Sequence, residues 1–244
     1  MPCLNEIQAL HWLLPRIPSG LDVIVVDNGS CDGSADYARS RGVHVIEHRE
    51  PREAGRCVEL GVSAALTDVV CVMDCDGTID PCDIIPLIQQ ITLDRVDFVV
   101  GARLVGPSGR RRGPLLTSRI RDSWARRATP GWFFPDLGSV RAFRRSALYS
   151  AGRSFHPQFA WNLDITLYAA EQLPRARLGW IAVPYRDRLG RSKIAGSFFG
   201  RPRAARQHAL LLASISWTRF AGRVVRTRAR RPGWAAHGAT SSGW

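Results

Sequence analysis

The residues best arranged for chemistry are Asp74 and Asp76. They close the run Val69-Val70-Cys71-Val72-Met73-Asp74-Cys75-Asp76-Gly77-Thr78-Ile79-Asp80-Pro81, in which an apolar stretch of strand length stops at a carboxylate, skips one residue and meets a second. Side chains alternate along a strand, so residues i and i+2 share a face. Both carboxylates can therefore point at one site at the strand's end, where open α/β sheets bind their ligands. Two hard oxygen donors on one side suit a divalent cation that keeps its other positions for water and phosphate oxygens. Asp-x-Asp is also a common composition of solvated, inert turns. The pair gains meaning only from the chain around it.

The elements that must carry the pair are legible as alternating strands and helices. Asp22 to Asp27 is a buried strand by its β-branched content, ending in the turn cluster Asn28-Gly29-Ser30-Cys31-Asp32-Gly33-Ser34. A helix over Ala35–Arg41, a strand over Val43–Glu47 and a helix over Ala54–Leu66 lead to the strand that ends at Asp74. A helix over Cys82–Ile91 and a strand over Val96–Ala102 follow. This spacing predicts right-handed βαβ units on a parallel sheet. After Ala102 the texture changes to a Gly/Pro/Arg loop with Arg110, Arg111 and Arg112, and then a basic helix over Leu115–Ala128. A strand from Pro135 to Arg145, a helix over Ala160–Glu171 and a last strand over Leu178–Tyr185 complete the pattern. Neither a G-x-G-x-x-G turn nor a P-loop is present.

Charge divides the chain. Of 244 residues with net charge +13, residues 1–100 carry a net −9, residues 101–185 a net +10 and residues 186–244 a net +12. An acidic part suited to a cation thus precedes a basic part suited to phosphates or an anionic surface. The six cysteines show no C-x-x-C and no zinc-like spacing with histidine, and read as reduced thiols. The N-terminus lacks the basic-then-apolar pattern of a signal peptide, and the uncharged window Gln207–Thr218 is far short of the ~20 residues a membrane span needs. The expected location is cytoplasmic, with peripheral contact on the inner face of the membrane. Leu210, Ala213, Trp217, Phe220 and Val224 repeat at helical spacing in a basic segment that would lie on a membrane or cover the domain. The domain reading is a catalytic unit over 1–200, a basic amphipathic helix over 201–225 and a disordered tail over 226–244.

Taken together, Pro2-Cys3-Leu4-Asn5-Glu6, Val25-Val26-Asp27-Asn28-Gly29-Ser30-Cys31-Asp32-Gly33 and Asp74-Cys75-Asp76-Gly77 follow the order and spacing of family 2 glycosyltransferases. Asp136-Leu137-Gly138-Ser139-Val140-Arg141-Ala142-Phe143-Arg144-Arg145 and Arg188-Leu189-Gly190-Arg191-Ser192-Lys193-Ile194 resemble the dolichol-phosphate mannosyltransferase branch. The resemblance implies a GT-A fold (a Rossmann-like, mostly parallel α/β sheet with helices on both faces), a GDP- or UDP-sugar donor, Mg²⁺ or Mn²⁺, inversion at the anomeric carbon and a polyprenyl-phosphate acceptor. It implies that Pro2 and Glu6 line the nucleotide pocket, with Asp27 and Asn28 at the base and Arg56 beside the donor. Asp74 would contact ribose and metal, and Asp76 would be the main metal ligand. Arg141, Arg188, Ser192 and Lys193 would receive the acceptor phosphate. One departure stands out: the family's apolar strand before the Pro-x-x-Asn-Glu motif is missing here, as a late start codon or a truncation would produce.

The acceptor decides what else is needed. A phosphate monoester is already ionised near neutrality and needs cations, whereas a soluble hydroxyl acceptor needs a base, for which Asp136 is the best-placed candidate. Asp136 could equally be a capping or ion-pairing residue beside Arg141 or Arg144. Arg188, Ser192 and Lys193 could form a solvated loop. Asp164 reads as a loop-organising acid and the lone His156 as structural, while Trp132, Phe133 and Phe134 fit either the core or an acceptor groove. Non-specific nucleic-acid binding by the basic half is the reading from another class. The absence of a recognised motif and the acidic N-terminal half count against it, and no specific nucleic-acid partner is expected.

Overall fold

A computed structural model describes residues 1–49, 53–105, 123, 125, 134–138, 140–149, 154–158, 160–190, 206–210 and 213. Three parallel strands form a first sheet in the order β1-β2-β3: β1 (Pro2–Cys3), β2 (Ile24–Asp27) and β3 (His44–Glu47). Helices α1 (Ile7–Leu13), α2 (Ser34–Ser40) and α3 (Ala54–Ala64) connect these strands and lead out of them. A second sheet has the order β4-β6-β5-β7, from β4 (Val69–Val72), β5 (Phe98–Val105), β6 (Val140–Arg144) and β7 (Leu178–Pro184). Helix α4 (Ile85–Thr92) joins β4 to β5, the short α5 (Arg145–Leu148) follows β6, and α6 (Trp161–Gln172) leads to β7.

Two-residue alternation sorts the second sheet onto two cores. Val100 and Phe143 face a core built with Val58 and Val62 of α3 and Leu163 and Leu167 of α6. Their chain neighbours Val99 and Ala142 face the opposite core, with Leu87 and Ile91 of α4 and Leu13 of α1. Apolar side chains on both faces are what a sheet covered by helices on both sides requires. Phe134 is fully buried, edge-on to Phe98, so it belongs to the core. Trp132 and Phe133 lie outside the described residues.

Two features depart from the sequence reading. The pattern around Pro135–Arg145 carries no signal of direction, and β6 runs antiparallel to both β4 and β5, with Val72 opposite Arg141 and Gly101 opposite Val140. Its start is therefore held beside the carboxyl end of β4. The N-terminus does carry a strand, though one of only two residues. β1 pairs in parallel with β2, Pro2 opposite Val26, and Met1 extends the ladder through Val26 N–H to its carbonyl at 2.9 Å. The ammonium of Met1 donates to the Ile24 carbonyl at 2.9 Å, where a peptide N–H would otherwise stand.

No helix among the described residues is long and apolar enough to cross a membrane. Of the expected C-terminal helix, residues 206–210 and 213 are described and helical, with Leu210 58% exposed. The tail beyond 226 and the basic stretch 106–122 lie outside the described residues.

Candidate active site

The rim of the first sheet is knitted from turn chemistry. Asp27 ends β2 and its Oδ2 accepts the Ser30 N–H at 2.9 Å. Asp32 accepts the Ile7 N–H through Oδ2 and the Ser34 N–H and hydroxyl through Oδ1, and the Ser34 hydroxyl oxygen takes the Glu6 N–H. Asn5, in the left-handed region at φ 50°, accepts the Cys31 N–H. These bonds hold the loop after β1 against the loop after β2. Asp27 is only 4% exposed, yet its Oδ1 has no partner, and the side-chain oxygen of buried Asn28 has none either. Buried acceptors left open in this way are sites where a ligand's N–H groups would be satisfied.

The paired carboxylates stand past the end of β4. Asp76 Oδ1 accepts the Thr78 hydroxyl at 2.6 Å and its N–H at 3.1 Å, which aims Oδ2 away from its own turn. Oδ2 accepts Nη1 of Arg188 at 3.1 Å, and the other arm of that guanidinium pairs with Glu6. The segment carrying Arg188 is tied down by its backbone: Arg186 N–H reaches the Thr78 carbonyl at 2.8 Å and Leu189 N–H the Asp76 carbonyl at 2.9 Å. Gly77 lies under the Leu189 side chain with φ 74°, and a Cβ there would stand 2.8 Å from Leu189 Cδ1. Burial, then the charge of Asp76, pushes the Asp74 carboxyl up to about 7, against the pull of Arg141, Arg103 and Arg188.

Asp136 is fixed by Arg103. Nε donates to Oδ2 at 2.8 Å and Nη2 to Oδ1 at 3.0 Å, and the N–H groups of Arg103 and Gly138 also reach Oδ2. Although burial opposes it, this set of donors holds the carboxyl down at about 2. A carboxylate so committed is a weak acceptor of protons near neutrality. The pairing partner is Arg103, where the sequence suggested Arg141 or Arg144.

Arg141 is fully buried. Its Nη2 donates to the Leu137 and Gly138 carbonyls at 2.8 Å each and its guanidinium stacks on the Trp161 ring, 4.5 Å from the centroid. Burial lowers it to about 10, with the charge of Asp74 opposing. It stands within the protein as a counter-charge to Asp74, and this placement does not present it at an acceptor surface. Arg188, assigned by resemblance to the acceptor phosphate, lies between Glu6 and Asp76. Ser192 and Lys193 fall outside the described residues.

Gly55 and Arg56 open α3, and both of their N–H groups reach the Pro157 carbonyl. A Cβ at Gly55 would overlap the His156 carbonyl oxygen. The loop around His156 is further held by Glu59, which accepts the Phe155 N–H and pairs with Arg56, and by Asp164, which accepts the His156 N–H. Asp164 and His156 thus act as loop organisers. Arg103, Thr78 and Glu59 escaped the sequence reading. Thr78 had a usable signal, since an Asp followed two residues later by a hydroxyl often closes a turn.

A divalent ion at Asp74 and Asp76 fits the donor set. Two adjacent carboxylates, one held in mutual repulsion with the other, leave charge for a cation to neutralise, and a Mg²⁺-like ion takes one or two carboxylates and completes its shell with phosphates and water. Among the described residues no third His, Cys, Asp or Glu completes an all-protein cage.

Fold and rim together define a GT-A glycosyltransferase. The chain belongs to glycosyl transferase family 2, whose family model matches residues 1–151. It is 35% identical over 216 residues to an uncharacterized glycosyltransferase of Mycobacterium bovis, covering 82% of this chain and 90% of that one. It is 31% identical over 204 residues to the dolichyl-phosphate hexose transferase of Haloferax volcanii, with 80% and 84% covered. It is 29% identical over 219 residues to the undecaprenyl-phosphate mannosyltransferase of Micrococcus luteus, with 82% and 88% covered. Among solved structures, glucosyl-3-phosphoglycerate synthase of Mycobacterium tuberculosis, in complex with Mn²⁺, UDP-glucose and phosphoglyceric acid, superposes with a TM-score of 0.67 at 19% identity, over 88% of this chain and 77% of that one.

Proposed function

We propose that this glycosyltransferase moves a sugar, with inversion, from a nucleotide-sugar donor to a polyprenyl phosphate, with Mg²⁺ or Mn²⁺ held by Asp74 and Asp76. The observation that carries the reading is the strap 186–189, which lies across the paired carboxylates with Arg188 on Asp76. It holds Arg188, the start of the basic run Arg188-Leu189-Gly190-Arg191-Ser192-Lys193, beside Asp76, which supports a meeting of leaving diphosphate and incoming phosphate there. The names of the Haloferax and Micrococcus relatives support a lipid phosphate acceptor.

In this reading the open oxygens of Asp27 and Asn28 receive the base, and Pro2 and Glu6 line the nucleotide pocket. The bound cation supplies Lewis-acid neutralisation of the departing diphosphate. With such a cation held by Asp74 and Asp76, Arg188, now on Asp76 Oδ2, would be free to offer its donors to phosphate oxygens. Arg141 stays behind Asp74 and favours its ionised form. The phosphate nucleophile needs no base, which accords with the commitment of Asp136 to Arg103. A soluble hydroxyl acceptor, the alternative reading, would need a base that Asp136 in this pairing is poorly fitted to be. Membrane contact would be peripheral, through the basic segment after residue 201, on the cytoplasmic face.

The test is transfer from labelled GDP-mannose or UDP-glucose, with Mg²⁺ or Mn²⁺, to polyprenyl phosphate. Label should pass into the organic phase, and Asp76→Ala should abolish transfer while leaving the melting temperature nearly unchanged. Lys193→Ala should raise the acceptor KM and leave the donor KM alone. Donor consumption with label left in water would move the assignment to a soluble acceptor.

A further inference from the structure

The described part of the C-terminal helix, residues 206–210 and 213, is turned the opposite way from a helix that covers a domain. Gln207 and His208 are half-buried, while Arg206, Ala209, Leu210 and Ala213 are exposed. At 3.6 residues per turn the exposed four form one stripe, and the other two lie opposite it. The helix therefore meets the domain through an amide and an imidazole and turns its apolar stripe outward. A helix held by apolar packing would do the reverse.

The inward side touches a loop that bears on the candidate active site. Gln207 Nε2 donates to Gln158 Oε1, and His208 Nε2 stands 3.4 Å from Oδ1 of Asn162 in the first turn of α6. Gln158 N–H donates to His156 Nδ1 at 3.2 Å. Between these two residues the Pro157 carbonyl accepts the N–H groups of Gly55 and Arg56, at 2.8 and 3.2 Å. The His156 carbonyl oxygen fills the place of a Cβ at Gly55, so the loop and the start of α3 are in direct contact. A short chain of bonds thus runs from Gln207 to the first turn of α3, where Arg56 stands.

We infer that the C-terminal helix braces the donor side of the site, and that an anionic bilayer taking up its outward stripe tightens donor binding. Charge names the bilayer as the occupant. Residues 186–244 carry a net +12, and anionic lipid attracts such arginine-rich segments while their apolar side chains enter the headgroup boundary. In sequence, Trp217, Phe220 and Val224 continue the spacing of Leu210 and Ala213. A bilayer on the outward stripe leaves the bond between Gln207 and Gln158 in place and steadies the helix that makes it. Gln207 and Gln158 are positioning residues that act through Pro157 on Arg56. The inference rests on the assignment of Arg56 to the donor made above.

The test measures binding of GDP and of UDP, each with Mn²⁺, to the full chain by titration calorimetry. It is run without vesicles, with phosphatidylcholine vesicles, and with vesicles of equal parts phosphatidylcholine and phosphatidylglycerol. Anionic vesicles should tighten nucleotide binding by about fivefold, and neutral ones should leave it unchanged. By linkage, saturating nucleotide should tighten binding of the chain to anionic vesicles by the same factor. Gln207→Leu should keep vesicle binding and lose the coupling. Gln207→Lys, which still offers a donor to Gln158, should retain it. Leu210→Asp should lose vesicle binding and keep the vesicle-free nucleotide affinity. Nucleotide affinity unmoved by anionic vesicles that hold the chain, or full coupling in Gln207→Leu, would overturn the inference alone. A chain that stays off anionic vesicles, or a dimer in solution that Leu210→Asp splits, would remove the bilayer as occupant and overturn it as well. Failure of both nucleotides to bind in any condition would overturn the donor assignment and the inference with it.

Discussion

Arg188 Nη1 lies 3.1 Å from Asp76 Oδ2, across 112 residues of sequence. An arginine on the same oxygen that a divalent ion would use makes the two cations competitors. Arg188→Gln should therefore tighten Mn²⁺ binding in the absence of nucleotide by roughly fivefold, equivalent to about 1 kcal/mol for a half-buried ion pair. Titration calorimetry on both proteins reads this directly. Identical affinities would mean that Arg188 does not guard the site.

Asp74 gives a pH signature in stability. Its folded-state pKa of about 7 is raised above the unfolded value, so the native state prefers the protonated acid. The ionised form is favoured less in the fold than in the unfolded chain, and stability is lost as pH rises from about 4 through 7. Asp74→Asn removes that loss. Without metal, it should melt several degrees above the parent at pH 8 and with it at pH 4. A variant no more stable at pH 8 would contradict a carboxyl raised by its burial and by the charge of Asp76.

The Asp136–Arg103 pair works in the opposite sense. With the folded pKa depressed to about 2, its stabilisation is complete above the unfolded carboxylate value and is lost as pH falls from about 4 to 2. The pair contributes on the order of 2 kcal/mol. Asp136→Asn should lose at least that much at pH 7 and show a flatter acid limb in urea titrations. A base in catalysis would instead show a kcat collapse with unchanged stability.

Gly55→Ala should cost about 2–3 kcal/mol, because a Cβ would meet the His156 carbonyl. The displaced 155–158 loop should also move Arg56, raising the donor KM more than the acceptor KM. Thermal melting and donor titration check both parts. Wild-type melting would show that the loop yields without strain.

The legible part of this molecule was local. The Val69–Val72 run ending at Asp74 gave β4 and the paired carboxylates, and Asp32 with Ser34 marked the turn that ties α2 to the loop after β1. What escaped was non-local pairing between like-looking residues. Thirty-four basic side chains look alike in sequence, and nothing in it says that Arg103 takes Asp136 while Arg188 takes Asp76. Arg141 did leave a trace. It shares a face with Phe143 by two-residue alternation, and Phe143 is core, so its burial was readable from Val140-Arg141-Ala142-Phe143. The direction of β6 left none, because alternation is the same in both directions.

That direction governs the order of assembly on the ribosome. β4 and β5 make no ladder with each other; each pairs with β6, so neither has its partner edge until Arg144 has been made. At about 5–20 residues per second, the distance from Val72 to Arg144 is several seconds of synthesis. During that interval two apolar strands wait unpaired while the β1-β2-β3 sheet is already complete. The nascent chain therefore presents its stickiest segments for longest in the middle of translation, where a holdase would find its substrate and where a pause before codon 144 would raise the yield of aggregate.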